Sequence, residues 1–305
     1  MKPTPSTSSG GLARRSALHR LARTALAGSA VVGIGWPALA QTRPAPRLVT
    51  VGGGITEVVY ALGAQDQLVG TDTTSLYPAA AQATPKVGYM RQLSAEGLLA
   101  LRPDALIAGS DAGPPVVLDQ LRSAGVRVEL VVSDHSWDEV RRKVAAVGRA
   151  AGREAGAREL QARLDARWQS VLARVQSSGK VGPRVLFVLS HSGSPMVAGE
   201  QTAADALIRF MGARNALGGF KGYRPMTAEA MAQAAPDVIL TTTQGLEAVG
   251  GEAKFWQRPE LALTPAWRER ASQKTLVHLD ALELLGFGPR LPDVIERLHE
   301  RMVRA

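Results

Sequence analysis

Tyr77 stands in the run Thr73-Thr74-Ser75-Leu76-Tyr77-Pro78, just after the short apolar segment Leu68-Val69-Gly70. A phenol on a Pro-flanked loop at a strand end can project into a cleft. Its deprotonated oxygen is a hard, anionic ligand that suits ferric iron. Free tyrosine ionises at a pKa of about 10, so bound iron and a nearby cation would have to favour the anion. Arg224 is the cation the sequence offers, in the Gly-punctuated run Gly218-Gly219-Phe220-Lys221-Gly222-Tyr223-Arg224-Pro225-Met226. Its guanidinium stays charged and donates through a planar fork. Lys221 and Tyr223 in that run, and Arg91 and Lys86 closer to Tyr77, could meet an anion or a flat ring.

His191 lies in Leu189-Ser190-His191-Ser192-Gly193-Ser194-Pro195-Met196, after a strand-like run. An α/β lobe places ligand contacts there. The imidazole could bind iron from the side opposite Tyr77, or simply be polar surface. Met90, Met196 and Met226 read as apolar walls rather than sulfur ligands. His135, His278 and His299 lack partners at metal-ligand spacing. Two enzyme-like signals fail. Gly52-Gly53-Gly54-Ile55-Thr56-Glu57 imitates a nucleotide loop, but the Glu57 charge would oppose a pyrophosphate. Ser190-His191-Ser192 has no nucleophile elbow around it. The chain is therefore expected not to be an enzyme. An exported α/β hydrolase or transferase acting through His191 is the alternative from a different class.

Two α/β halves must position these groups. Residues 41–135 read as one lobe, with strands at Arg47–Val51, Ala105–Ala108 and Val126–Val131. Residues 179–305 read as the other, with strands at Arg184–Leu189, Val238–Thr242 and Thr275–Leu279. Short β-branched runs alternating with helical patterns predict parallel or mostly parallel sheets. Residues 136–178 read as a helical connection. Ser136-Trp137-Asp138-Glu139 is a capping box, and Gly152 and Gly156 should break or bend the helix. A connection this stiff should restrict hinge motion.

The halves share a repeat. Leu93-Ser94-Ala95-Glu96-Gly97-Leu98 leads to Pro103-Asp104-Ala105-Leu106-Ile107. Met226-Thr227-Ala228-Glu229-Ala230-Met231 leads to Pro236-Asp237-Val238-Ile239-Leu240, 133 residues later. Each copy predicts a Ser- or Thr-capped helix, then a strand. A weaker match pairs Ala61-Leu62-Gly63-Ala64 with Phe210-Met211-Gly212-Ala213. Two matches in one order argue for two lobes of common design.

Residues 1–40 stand apart from this pattern. Lys2, Arg14, Arg15, Arg20 and Arg23 precede an apolar run, and Ala38-Leu39-Ala40 is a small-x-small cleavage site. A signal peptide cleaved near Ala40 is expected, and the apolar run is too short to span a membrane. Arg14-Arg15 would also suit twin-arginine export. The whole chain carries 36 basic and 27 acidic residues, a net charge of +9, and only +4 remains beyond residue 40. That is no dense basic stripe, so nucleic acid is not an expected partner. There is no cysteine, which excludes disulfides and thiolate metal sites. No later run is apolar enough to hold the mature chain in a membrane.

The stretch from Gly70 through Tyr77-Pro78 to Val87-Gly88-Tyr89-Met90-Arg91-Gln92-Leu93-Ser94-Ala95-Glu96 resembles the periplasmic haemin-binding proteins of bacterial ABC importers. The Lys221-Gly222-Tyr223-Arg224-Pro225 segment is similar to one those proteins place opposite the first-lobe tyrosine. The resemblance covers nearly all of the mature chain. It implies the class III (cluster A) periplasmic binding protein fold: two Rossmann-like lobes joined by a long rigid helix. It also implies iron acquisition, with ferric haem b as transported ligand, Tyr77 as axial ligand and Arg224 in support. Lys221, Tyr223, His191, Arg91 and Met90 would contact haem. Glu96 and Glu229, one per lobe, would dock on the two subunits of an ABC permease in the inner membrane. A monomer acting in the periplasm is expected. The same fold carrying a ferric siderophore or a corrinoid is the nearest alternative.

Overall fold

Leu48–Val51 and Ala105–Gly109 are buried along their whole length, the pattern of strands covered on both faces. The computed structural model describes residues 44–179, 182–190, 195–272 and 274–302. The first lobe runs β1 (Leu48–Val51), α1 (Gly53–Ala61), β2 (Leu68–Thr71), α2 (Ala95–Ala100), β3 (Ala105–Gly109), α3 (Pro115–Ser123) and β4 (Arg127–Val131). Its strands are all parallel, in the order β2-β1-β3-β4. Two helices follow, α4 (Trp137–Ala151) and α5 (Glu154–Ser177).

The second lobe opens with β5 (Arg184–Leu189), β6 (Met196–Ala198), α6 (Ala203–Phe210), β7 (Arg214–Asn215), β8 (Tyr223–Pro225) and α7 (Ala228–Ala234). It continues with β9 (Val238–Thr242), α8 (Thr243–Ala248), α9 (Glu252–Trp256), α10 (Pro265–Arg268), β10 (Leu276–Leu279), α11 (Ala281–Leu285) and α12 (Leu291–Met302). Its sheet has the order β10-β9-β5-β6-β8, with β7 beside the start of β5. The three long strands are parallel, as expected, but β6 and β8 are antiparallel additions. Strands of three residues have too little periodicity to show in a sequence.

The repeat has a structural cause. Ser94 caps α2 through the Gly97 amide, and Thr227 caps α7 through the Ala230 amide. The Pro-Asp pairs then clip each lobe's sheet together. Asp104 accepts the Arg47 backbone N–H at 2.7 Å, just before β1, and Asp237 accepts that of Arg184 at 2.9 Å, at the start of β5. In both lobes this carboxylate sets the register of the strand next door.

The break expected at Gly152 is a full reversal of the chain. Gly152 adopts φ 64, a left-handed conformation that favours glycine, and ends α4. The chain turns at 152–153, and α5 packs back on α4. Gly156 lies inside α5 and does not break it. Each helix serves both lobes. Val144, Val147, Ala157 and Leu160 belong to the first-lobe core, while Trp137, Val140, Trp168 and Val171 belong to the second. Trp137 and Trp168 stack with centroids 4.6 Å apart and planes 3° from parallel. Stiffness comes from this shared packing rather than from one long helix.

The capping box is also rearranged. The Ser136 hydroxyl accepts the Glu139 amide at 3.2 Å, as expected. The Glu139 carboxylate, however, accepts the His135 amide at 2.7 Å and pairs with Lys143 at 2.6 Å in a buried site. Ser136→Ala should therefore lower stability by about 1 kcal/mol, the usual cost of a lost N-cap, read as a reduced urea midpoint at constant m.

The lobes meet at the glycine triplet. Gly52 has φ 113, which side chains rarely tolerate. A Cβ on Gly54 would strike the Gly286 carbonyl, so α1 can approach the 286–288 segment only with glycine there. Lys143 donates to the carbonyls of Gly286 and Phe287 at 2.9 and 3.0 Å, tying α4 to the same segment.

Candidate functional site

The loop that carries Tyr77 is fixed from beneath by Asp72, which is fully buried. Asp72 Oδ1 accepts the Gly52 amide at 3.0 Å and the Ser75 hydroxyl at 2.7 Å. Its Oδ2 accepts the Thr74 amide at 3.1 Å and the Thr74 hydroxyl at 2.6 Å. Lys86 Nζ donates to Thr71 Oγ1 at 2.8 Å and to the carbonyls of Ser75 and Ala81 at 3.1 and 3.0 Å. Partial burial lowers the Lys86 ammonium, with the Asp72 charge working against that. These bonds occupy Lys86 in holding the loop.

Tyr77 emerges from this base 45% exposed. The Arg290 guanidinium lies over its ring, 3.7 Å from the centroid. Arg290 Nε and Nη2 donate to the two Glu57 oxygens at 2.9 and 2.7 Å, and Nη1 donates to Glu283 at 3.2 Å. Burial holds the Glu57 carboxyl above its ordinary value, and the Arg290 bonds and the Lys143 charge offset only part of that rise. Tyr77, Leu76 and Gln82 from the first lobe face Gln244, Asp280 and Arg290 from the second across a cavity of about 360 Å³. Small-ligand sites occupy about 300–1,000 Å³. A larger recess of about 720 Å³, lined by Trp256, Trp267, Glu252 and Arg270, is built from the second lobe alone. Its indole N–H groups are taken by Glu252 and the Trp256 carbonyl. The interlobe cavity, with an open phenol and a cation, has the chemistry of a site.

The other candidates fall as follows. Arg224 is exposed on β8 and stacks over Phe220, 4.3 Å from the centroid. Among the described residues, no hydrogen bond, ion pair or ring contact joins it to Tyr77, and no carboxylate pairs with it. Tyr223 is half-buried against the second-lobe core. Burial holds its phenol above the ordinary value, opposed by the Thr202 hydroxyl and by the Arg91 charge from the other lobe. Arg91 donates to Asp111 at 2.9 Å and to the Tyr89 hydroxyl at 3.3 Å. Lys221 is exposed, Met90 leans on the first-lobe core, and Met226 is buried in the second. Glu96 and Glu229 are exposed in the first turns of α2 and α7. His191 lies outside the described residues, as do the N-terminal 43. Among the described residues no cluster of three or more His, Asp or Glu could hold a bare metal ion, and no helix is long and apolar enough to cross a membrane.

The sequence reading missed Arg290 and Glu57. A signal for half of it existed: Glu57 sits among Ile55, Thr56, Val58 and Val59 on a helix whose face is buried. A carboxylate there demands a buried cation. Which cation answered it could not be read from position, because Arg290 lies 233 residues away.

A family model described as periplasmic binding protein matches residues 48–271. The periplasmic heme-binding protein BhuT, solved in complex with two hemes, is 47% identical with a TM-score of 0.79, over 84% of this chain and 97% of that one. A periplasmic heme-binding protein from Pseudomonas aeruginosa is 37% identical with a TM-score of 0.75, over 86% and 94%. A vitamin B12-binding protein from Vibrio vulnificus is 23% identical, over 79% of this chain and 89% of its own.

Proposed function

The chain belongs to the periplasmic binding protein family, and from that premise we propose that it captures ferric haem between its lobes and hands it to an ABC permease. The observation that carries this reading is the open Tyr77 phenol on the interlobe cavity with a guanidinium over its ring. In this reading Tyr77 is the axial ligand of the iron, and haem b is cargo rather than a resident cofactor. The likeness to BhuT and to the Pseudomonas protein supports haem as that cargo. Arg224, Lys221 and Arg91 supply positive charge for the propionates; Arg224 and Lys221 are both exposed and without a carboxylate partner among the described residues, whereas Arg91 is paired with Asp111. Tyr223 and Met90 offer ring and apolar surface, and His191 is a second ligand candidate. Residues 1–40 act as a signal peptide that delivers a monomer to the periplasm. Its role is transport rather than catalysis.

A corrinoid is the second reading, because a relative of similar length is a vitamin B12-binding protein. Titrating the mature apo protein with haemin and, separately, with cyanocobalamin tests the two. Saturable Soret changes with haemin alone support haem, and their equivalence point counts the haems. Saturation with cyanocobalamin alone overturns the haem reading and leaves the family intact.

Glu96 and Glu229 are the docking groups in this reading, placed alike on two lobes for a permease with two-fold symmetry. Replacing both by Ala should weaken binding to the reconstituted permease by about 2 kcal/mol or more, with haem affinity unchanged. Unaltered permease binding would remove them from that role.

A further inference from the structure

Arg290 belongs to the second lobe, in the segment between α11 and α12, yet its main partners lie on the first. Glu57 takes the edge of the guanidinium through two bonds, and Tyr77 takes its face. Glu283 is the anchor on its own lobe. A two-point carboxylate pair fixes the plane of a guanidinium. A fixed plane against a phenol ring in turn fixes where the phenol oxygen points. The ring's own loop is held beneath it by Asp72 and Lys86, so the two side-chain torsions of Tyr77 are what remain to be fixed, and Arg290 lies against the ring face.

We propose that Arg290 is a positioning residue that couples lobe closure to iron ligation, holding the Tyr77 ring in its ligating orientation when the lobes are together and leaving it when they part. This rests on Tyr77 being the haem ligand. The lever has little slack. The guanidinium starts 3.7 Å from the ring centroid, and a cation loses its hold on a ring beyond about 6 Å, so a lobe separation of about 2 Å is enough to break the contact. The attraction also grows when the phenol oxygen carries negative charge on iron, so it favours the loaded, closed form over the empty one. By reciprocity haem must favour closure by the factor that closure favours haem. A permease that draws the lobes apart would thereby loosen the iron ligand without touching it.

The test is haem release from the mature protein to excess apomyoglobin, with the phenolate-to-iron charge-transfer band recorded alongside. Arg290→Lys keeps the charge and can still reach Glu57, but has no flat face for the ring. It should shift or weaken the band and speed release by about ten-fold. Glu57→Gln, which frees the guanidinium edge, should speed release less and shift the band in the same direction. In a Tyr77→Phe background, Arg290→Lys should add little, because the oxygen it positions is gone. If Tyr77→Phe holds no haem, the band of Arg290→Lys in the native background decides. An unchanged band and release rate in Arg290→Lys would overturn the proposal, as would an equal acceleration with and without the Tyr77 hydroxyl, which marks a purely structural clasp. A Tyr77→Phe protein with native spectrum and release would instead overturn the haem-ligand reading beneath it.

Discussion

Tyr77→Phe should weaken ferric haem binding by more than about 100-fold and abolish the charge-transfer band of phenolate-bound iron. Loss of a group that merely orients a metal ligand typically costs about 10–100-fold, and here the ligand atom itself would go. Phe is a cleaner probe than Ala. It keeps a ring for the Arg290 guanidinium to cover, so lobe closure and the loop over Asp72 should be retained. Cavity walls and propionate partners remain as well, and residual binding would report macrocycle burial alone. An absorption titration of the two proteins side by side measures the loss. A variant with native affinity and spectrum would mean that the open phenol is an accident of the surface.

Lys143→Met should destabilise the protein by about 3–5 kcal/mol, the usual cost of removing one partner from a buried ion pair. Lys143 and Glu139 are both nearly inaccessible and pair at 2.6 Å. Without the ammonium, Glu139 keeps the His135 amide but loses its counter-charge, and the carbonyls of Gly286 and Phe287 lose their donor. Those carbonyls belong to the second lobe, while Val144 and Val147 beside Lys143 on α4 pack into the first-lobe core, so the damage falls on the junction. Urea unfolding followed by circular dichroism would show the drop in midpoint. A loss under about 1 kcal/mol would mean that water or a neighbour replaces the ammonium easily.

The sequence carried the long buried strands, the caps and the internal repeat because each is a local pattern. Leu48–Val51 and Val238–Thr242 are continuous apolar or β-branched runs, and Ser94 and Thr227 announce their helices. Asp104 and Asp237 were visible as punctuation, but their bonds to Arg47, just before β1, and to Arg184, the first residue of β5, are tertiary facts. Gly152 looked like a bend, and nothing local distinguishes a bend from the reversal that makes α4 and α5 a hairpin. Tyr77 was legible as a candidate from its loop. Its cationic neighbour was not: Arg224 was favoured for its Gly-punctuated loop and the resemblance that loop carries, and the structure puts Phe220 beneath it and Arg290 on Tyr77. The glycine triplet was legible as a turn, but only the 286–288 segment explains why the third glycine is needed.

The stacked pair Trp137–Trp168 has an optical consequence. Of the five tryptophans in the chain, four are described, and none of those lies on the first lobe. Trp137 and Trp168 join the second-lobe core, and Trp256 and Trp267 belong to another hydrophobic cluster of that lobe. Intrinsic emission from residues 44 onward will therefore follow the second lobe and the junction, and will be nearly blind to the lobe that bears Tyr77. A fluorescence melt would miss early fraying of β1 to β4. The chain has no cysteine, so one thiol introduced on α3 would be unique and would give the silent lobe a dye of its own.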